Sequence, residues 1–135
     1  MTIRLTRRYR FAASHRLHSS KLSEAENQEV YGKCNNPFGH GHNYTIEIGV
    51  RGEIDPVTGS AVDVVQLDKL VMKHVVSQFD HRYLNQEIPV FAAVVPTAEN
   101  IGMETRRRLE AVWPANFPAL EKVRVQETRR NIIEL

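Results

Sequence analysis

A chain of 135 residues, 41% apolar and 25% charged, is long enough to bury one core and too short to hold a second domain comfortably. Its formal charge of +2 gives no electrostatic case for a nucleic-acid partner, and Arg7-Arg8, Arg106-Arg107-Arg108 and Arg129-Arg130 read as solvated faces. No apolar run approaches the roughly 20 residues that span a bilayer, and no secretory-type apolar segment follows Met1, so a cytoplasmic protein without a membrane partner is expected.

Residues 3–11 alternate. Ile3, Leu5, Tyr9 and Phe11 share one parity and Arg4, Arg8 and Arg10 the other, which predicts a half-buried strand. Ala13 and His15 continue the apolar parity, so a histidine emerges at the end of the buried face. His18 lies three residues on, past the strand pattern, and is the alternative to His15 as a ligand. Residues 19–33, rich in Ser, Glu, Asn and Gln, read as a loop with one helical turn over Ser23 to Glu29, where Ser23 and Glu26 have capping-box spacing.

The segment from Gly32 to Tyr44 holds the only cysteine and two of the six histidines. One cysteine cannot form an internal disulfide. Cys34 is therefore a small buried hydrophobe or a reactive thiol, and its polar setting between Lys33 and Asn35-Asn36 favours the thiol. In His40-Gly41-His42 the two imidazoles stand at i and i+2, on one strand face with Cα atoms roughly 6.5–7 Å apart, and so can lean toward one metal ion. Tyr44, Ile46, Ile48 and Val50 continue their parity, which makes that face the buried one. If this strand pairs antiparallel with the first, His15, His40 and His42 meet at one end of the sheet. Three imidazoles would leave the fourth tetrahedral position open, as in a catalytic zinc site; a closed structural site would normally recruit several cysteines.

Glu53 to Gly59 is a turn by its Asp55-Pro56 and Gly59, and Ala61 to Val65 reads as extended. Leu67, Leu70, Val71, His74, Val75 and Phe79 then form one helical stripe, on which His74 reads as a packed histidine. The pattern stops at Asp80-His81. This pair is either a helix C-terminal feature or a carboxylate and an imidazole that move a proton for a third group. Thr97 is the expected N-cap of a second helix with Glu99 in its first turn, ending before Trp113-Pro114. Lys122 to Thr128 alternates again and puts Glu127 on the parity of Val123 and Val125. A carboxylate on a buried face either pairs with an arginine such as Arg7 or waits for a ligand with several N–H donors, such as a pterin edge. Residues 131–135 close the chain as a short strand.

Phe11 to His18, Gly32 to Pro37 running into His40 to Tyr44, Gly52 to Gly59, Asp80-His81, Thr97 to Asn100 and Val125 to Thr128 together resemble the 6-pyruvoyl-tetrahydropterin synthase family, in the family's order and over nearly the whole chain. The resemblance implies one α+β T-fold domain over residues 1–135: an antiparallel four-stranded sheet with two helices on one face. Three subunits would close into a barrel and two trimers into a homohexamer, with active sites between subunits. The implied substrate is 7,8-dihydroneopterin triphosphate, which loses triphosphate and rearranges to the 6-pyruvoyl product. By match to the family's motifs, His15, His40 and His42 would hold one Zn2+ per subunit and Cys34 would be the catalytic base. Asp80 and His81 would relay its proton, Glu127 would anchor the pterin, and Thr97 would lie near the substrate.

Two positions depart from the pattern: Phe38, where relatives often carry a polar residue, and Ala98, where animal members commonly have a second threonine. The related 6-carboxy-tetrahydropterin synthases of queuosine biosynthesis are the alternative. They commonly have three residues between the cysteine and His-Gly-His, and the five here, Asn35 to Gly39, favour the pyruvoyl branch. For the triphosphate, inward parity suggests Arg7.

Overall fold

The computed structural model describes residues 1–135. In chain order its elements are β1 (Thr2–His15), α1 (Glu24–Tyr31), a 3-10 turn (Gly32–Asn35), β2 (His40–Glu53) and α2 (Val64–Val71). A π-helical segment (Met72–Val76) continues α2 into α3 (Ser77–Phe79), followed by β3 (Arg82–Tyr83) and α4 (Leu84–Glu87). A second 3-10 turn (Pro89–Ala92), α5 (Ala98–Val112), β4 (Ala119–Gln126) and β5 (Ile132–Glu134) complete the chain.

β1 and β2 pair antiparallel over their whole lengths, from Thr2 opposite Glu53 to His15 opposite His40. β4 joins β2 and β5 joins β4, both antiparallel. These four strands are the expected antiparallel set. The sheet nevertheless has five strands, ordered β3-β1-β2-β4-β5, and it is mixed: β3 runs parallel to β1, with Arg82 opposite Ala13 and Tyr83 opposite Ser14. Tertiary docking creates this short strand. The Asp80 carboxylate accepts the Ala12 N–H at 2.9 Å, and the His81 N–H donates to the Ala12 carbonyl at 2.6 Å, so the end of the helical run is tied to the free edge of β1.

The two main helical runs cover one face of the sheet. Val71, Val75, Phe79, Ile101 and Leu109 pack on Phe11, Tyr44, Ile46, Ile48, Val123 and Val125 in one buried cluster. Burial follows the parity of β1 and of the first half of β2, so the alternation there is that of core and far face, whereas Ile46 to Val50 are buried on both faces. On the far face Glu47 is flanked by Arg8 at 2.9 Å and Arg124 at 3.0 Å. Gly102 in α5 is where β5 and the C-terminal residues come close: an added Cβ would lie 2.6 Å from Ile133 Cδ1.

The first helical run begins earlier than the stripe suggests. Val64 and Val65, read as extended, are already in α2, because the Asp63 side chain accepts the Gln66 N–H at 3.1 Å and caps the helix there. The capping box at Ser23 and Glu26 forms as expected and opens α1. His74 sits half-buried in the π-helical segment. No helix is long and apolar enough to cross a membrane.

Candidate metal and thiol site

The β1–β2 register sets His15 opposite His40 and Ala13 opposite His42, so three imidazoles collect at one end of the sheet. Their ring centroids lie 4.6 to 5.2 Å apart. His15 is fully buried. Its Nδ1 lies 2.8 Å from the Pro96 carbonyl, which can only accept, so the proton is on Nδ1 and Nε2 presents a lone pair. That Nε2 is 3.1 Å from Nε2 of His42. The Nε2 of His40 is buried and has no hydrogen-bond partner. A buried polar atom left unpaired is costly, and a ligand is the ordinary remedy.

Two further donors close on the cluster. Ligand atoms of His15, Cys34 and His40 lie within 4.8 Å of one another, as do those of His15, His42 and Glu127. The donor set of imidazoles, a thiol and a carboxylate can hold a metal ion, and the unpaired His40 nitrogen fits that use. Glu127, just past β4, is 8% exposed. Its Oε2 is 3.9 Å from His15 Nε2 and its Oε1 accepts from Asn131 at 3.3 Å. No arginine reaches it, which removes the pairing with Arg7.

Burial holds His15 and His42 below the ordinary imidazole range, with Glu127 opposing the shift. The Cys34 thiol is pushed up, first by burial and then by the Glu127 carboxylate, so it is protonated at neutral pH in the isolated chain.

The turn that carries Cys34 is clamped to the chain beyond β1. Leu17 N–H donates to the Cys34 carbonyl at 2.8 Å, and Asn35 Nδ2 donates to the Leu17 carbonyl at 2.8 Å and to His18 Nδ1 at 3.0 Å. His18 is thus a partner of Asn35, and His15 is the residue in the cluster. Gly39 follows at φ 72°, and a Cβ there would lie 2.8 Å from the His15 carbonyl oxygen, so glycine is what lets the turn press against β1.

Asp80 and His81 pair with each other and with the edge of β1. His81 Nδ1 is 3.0 Å from Asp80 Oδ2, and the Ala12 N–H is the largest influence holding the Asp80 carboxyl below its usual range. His81 has φ 60°, an uncommon left-handed conformation, and its side chain is 82% exposed. It borders a cavity of about 560 Å³ together with His42, Arg82, Tyr83 and Glu87. No hydrogen bond joins it to Cys34.

Thr97 caps α5, its hydroxyl accepting the Asn100 N–H at 3.2 Å, and it adjoins the Pro96 carbonyl that orients His15. Arg7 is bound to Asp68 of α2 at 2.7 Å. It lies eight residues along β1 from His15, about 26 Å at 3.3 Å per residue, and its guanidinium is already committed. The Pro96 carbonyl and the Asn35 side chain escaped the sequence reading: a backbone acceptor has no side-chain signature, and Asn35 reads simply as a turn residue.

The family model described as 6-pyruvoyl tetrahydropterin synthase matches residues 4–135. The chain is 46% identical over 129 residues to the 6-pyruvoyl tetrahydrobiopterin synthase of Poecilia reticulata, a span of 96% of this chain and 86% of that one. It is 44% identical over 129 residues to the Homo sapiens protein of the same name, spanning 96% and 88%. The solved structure of Caenorhabditis elegans 6-pyruvoyl tetrahydropterin synthase matches with a TM-score of 0.91 at 40% identity, over 100% of this chain and 95% of that one.

Proposed function

The chain belongs to the 6-pyruvoyl tetrahydropterin synthase family, and on that premise we propose that it is a zinc-dependent lyase that eliminates triphosphate from 7,8-dihydroneopterin triphosphate to give 6-pyruvoyl-tetrahydropterin. The observation that carries the zinc reading is the unpaired, buried Nε2 of His40, on a ring clustered with those of His15 and His42, whose Nε2 atoms face each other. Tetrahedral Zn–N bonds of about 2.0–2.1 Å separate two ligand nitrogens by about 3.3 Å, close to the 3.1 Å between His15 and His42. His15, His40 and His42 would hold the ion, and His15 comes with its Nδ1 already fixed on a carbonyl, the usual outer support of a metal-bound imidazole.

When bound, zinc would act as a Lewis acid toward the negative charge that develops on substrate side-chain oxygen as the adjacent carbon loses its proton. Cys34 Sγ is the base that takes this carbon-bound proton. Its raised pKa means that it must itself be relieved of a proton. The partner subunit's His81 fits that need: its Nδ1 is engaged by Asp80, which leaves Nε2 to accept. Glu127, buried and short of donors, receives the N–H edge of the pterin and keeps the side chain over the thiol. Thr97 lines the substrate path and keeps α5 anchored beside Pro96.

In this reading residues 1–135 act as one T-fold domain, and subunits assemble as a barrel-forming homohexamer. The lack of a hydrogen bond between Cys34 and His81 within a chain supports a site shared between subunits. A cytoplasmic location suits a chain whose one cysteine has no disulfide partner.

The test is to incubate zinc-loaded protein with 7,8-dihydroneopterin triphosphate and identify the product by mass, with a chelator-treated control. A metal-dependent 6-pyruvoyl product is expected. Release of acetaldehyde with 6-carboxy-tetrahydropterin would assign the chain to the queuosine branch.

A further inference from the structure

Every arginine or lysine that is even partly sheltered from solvent has a carboxylate within 4 Å, with one exception. Arg7 has Asp68, Arg106 has Glu110, Arg108 has Glu104 and Arg124 has Glu47. Arg16 has none, although it is half-buried. Its backbone is held at both ends by Asn85, whose side chain accepts from Arg16 N and donates to Arg16 O, each at 2.8 Å. The guanidinium makes one protein contact, Nε to the Asn35 carbonyl at 3.3 Å, and its terminal nitrogens make none. A partly desolvated cation without a counter-charge is a cost that an anionic ligand would remove.

Arg16 borders a cavity of about 450 Å³. Its wall also includes His18, Ser19, Ser20 and Lys21, and no aspartate or glutamate. Since Asn35 Nδ2 donates to His18 Nδ1, the Nε2 of His18 is the ring nitrogen that carries a proton, which adds a donor. The volume is that of a ligand pocket, and guanidinium, ammonium, hydroxyl and N–H donors suit phosphate oxygens.

The cavity shares its boundary with the site described above. Pro96 is part of its wall, and the Pro96 carbonyl holds His15 Nδ1. The Arg16 side chain rests on the carbonyl of Asn35, the residue after Cys34. The geometry points to Arg16, with Lys21 and His18, as the binding site for a linear polyphosphate, which in the proposed reaction is the triphosphate chain of the substrate. The identity of the anion rests on that reaction; the anion site itself rests on the uncompensated guanidinium and the carboxylate-free wall.

Calorimetric titration with inorganic tripolyphosphate and steady-state kinetics with 7,8-dihydroneopterin triphosphate test both parts, on wild type and variants matched for zinc content. Arg16→Gln should weaken tripolyphosphate binding about tenfold or more and raise KM for the substrate by a similar factor, the size expected for losing a charge-assisted contact. Binding of 7,8-dihydroneopterin, which lacks the phosphates, should stay within about twofold. Arg16→Lys keeps the charge and should restore most of the tripolyphosphate affinity. Lys21→Ala, at an exposed position, should weaken it about threefold.

Unchanged tripolyphosphate binding in Arg16→Gln overturns the site. So does an equal loss of affinity for the phosphate-free pterin, since Arg16 would then act only on the shape of the turn. If wild type fails to turn over the substrate while tripolyphosphate binding still depends on Arg16, the anion site stands and the proposed reaction falls. If turnover proceeds and Arg16→Gln is silent in both assays, the reverse holds.

Discussion

The Pro96 carbonyl and the His15 imidazole meet at 2.8 Å across 81 residues of sequence, and this contact fixes which nitrogen of His15 faces the other two histidines. The orientation of the cluster therefore depends on the loop before α5 as much as on the sheet.

His40 supplies a nitrogen with no other use in the fold. His40→Ala should lower zinc occupancy, measured by mass spectrometry of the intact metal-loaded protein, by at least about tenfold at limiting zinc, while the far-ultraviolet circular dichroism stays near that of wild type. Full zinc occupancy in the variant would remove His40 from the ligand set.

No hydrogen bond joins Cys34 to His81 within one chain. Cys34→Ala and His81→Ala should each abolish turnover, and Cys34→Ala should still bind zinc and pterin. If the site is shared between subunits, unfolding and refolding the two variants together should restore activity, to about a quarter of wild type for random mixing. No recovery in assembled mixed oligomers would confine the site to one chain.

The Glu127 carboxylate has one weak partner, Asn131 at 3.3 Å, and is otherwise short of donors. Glu127→Gln should weaken pterin binding by about ten- to a hundredfold, with a smaller effect on zinc, because a charge-assisted contact to the ring edge becomes a neutral one. Fluorescence titration with a non-reactive pterin reads this directly. Unaltered affinity would count against the anchor.

Gly39 combines a positive φ with backbone contact. Gly39→Ala should destabilise the protein by about 1–3 kcal/mol in urea unfolding, and it should lower zinc affinity as well, since the Cβ pushes on the carbonyl of His15, a proposed ligand. A variant with wild-type stability and zinc content would mean that the turn relaxes freely.

Glu104 is 5% exposed and bound by Arg107 and Arg108, with Arg107 the larger influence holding its carboxyl below the usual range. A folded-state pKa below the unfolded one gives stability that is present above about pH 4.3, the unfolded value, and is lost as pH falls through the folded value. Glu104→Gln should cost roughly 1–2 kcal/mol at pH 7, discounted for the exposed Arg107, and the gap to wild type should shrink below about pH 4. A gap that is the same at pH 7 and pH 3.5 would assign the effect to packing.

Much of this was legible because alternation reports a half-buried sheet directly. Ile3 to His15 and His40 to Val50 carry the inward face, and pairing those parities was enough to bring three histidines together. The same rule misread Arg7: inward parity at the far end of β1 leads to Asp68 on α2, which parity along a strand cannot reveal. β3 was not legible, because two residues become a strand only by docking on the edge of β1. Val64 and Val65 favour extended structure intrinsically, and the Asp63 cap with the packing of α2 overrides that preference. The burial of Glu127 was legible from its anomalous parity. The Pro96 carbonyl that orients His15 offered no sequence signal at all.

The register that sets His15 opposite His40 has a consequence for quality control. Sliding β1 by one residue against β2 would turn its imidazole to the far face while leaving most backbone pairs intact. A misaligned chain would then keep near-native secondary structure and yet lack the proposed metal site. Metal content per chain would thus count correctly threaded molecules, separating them from look-alikes that circular dichroism cannot distinguish.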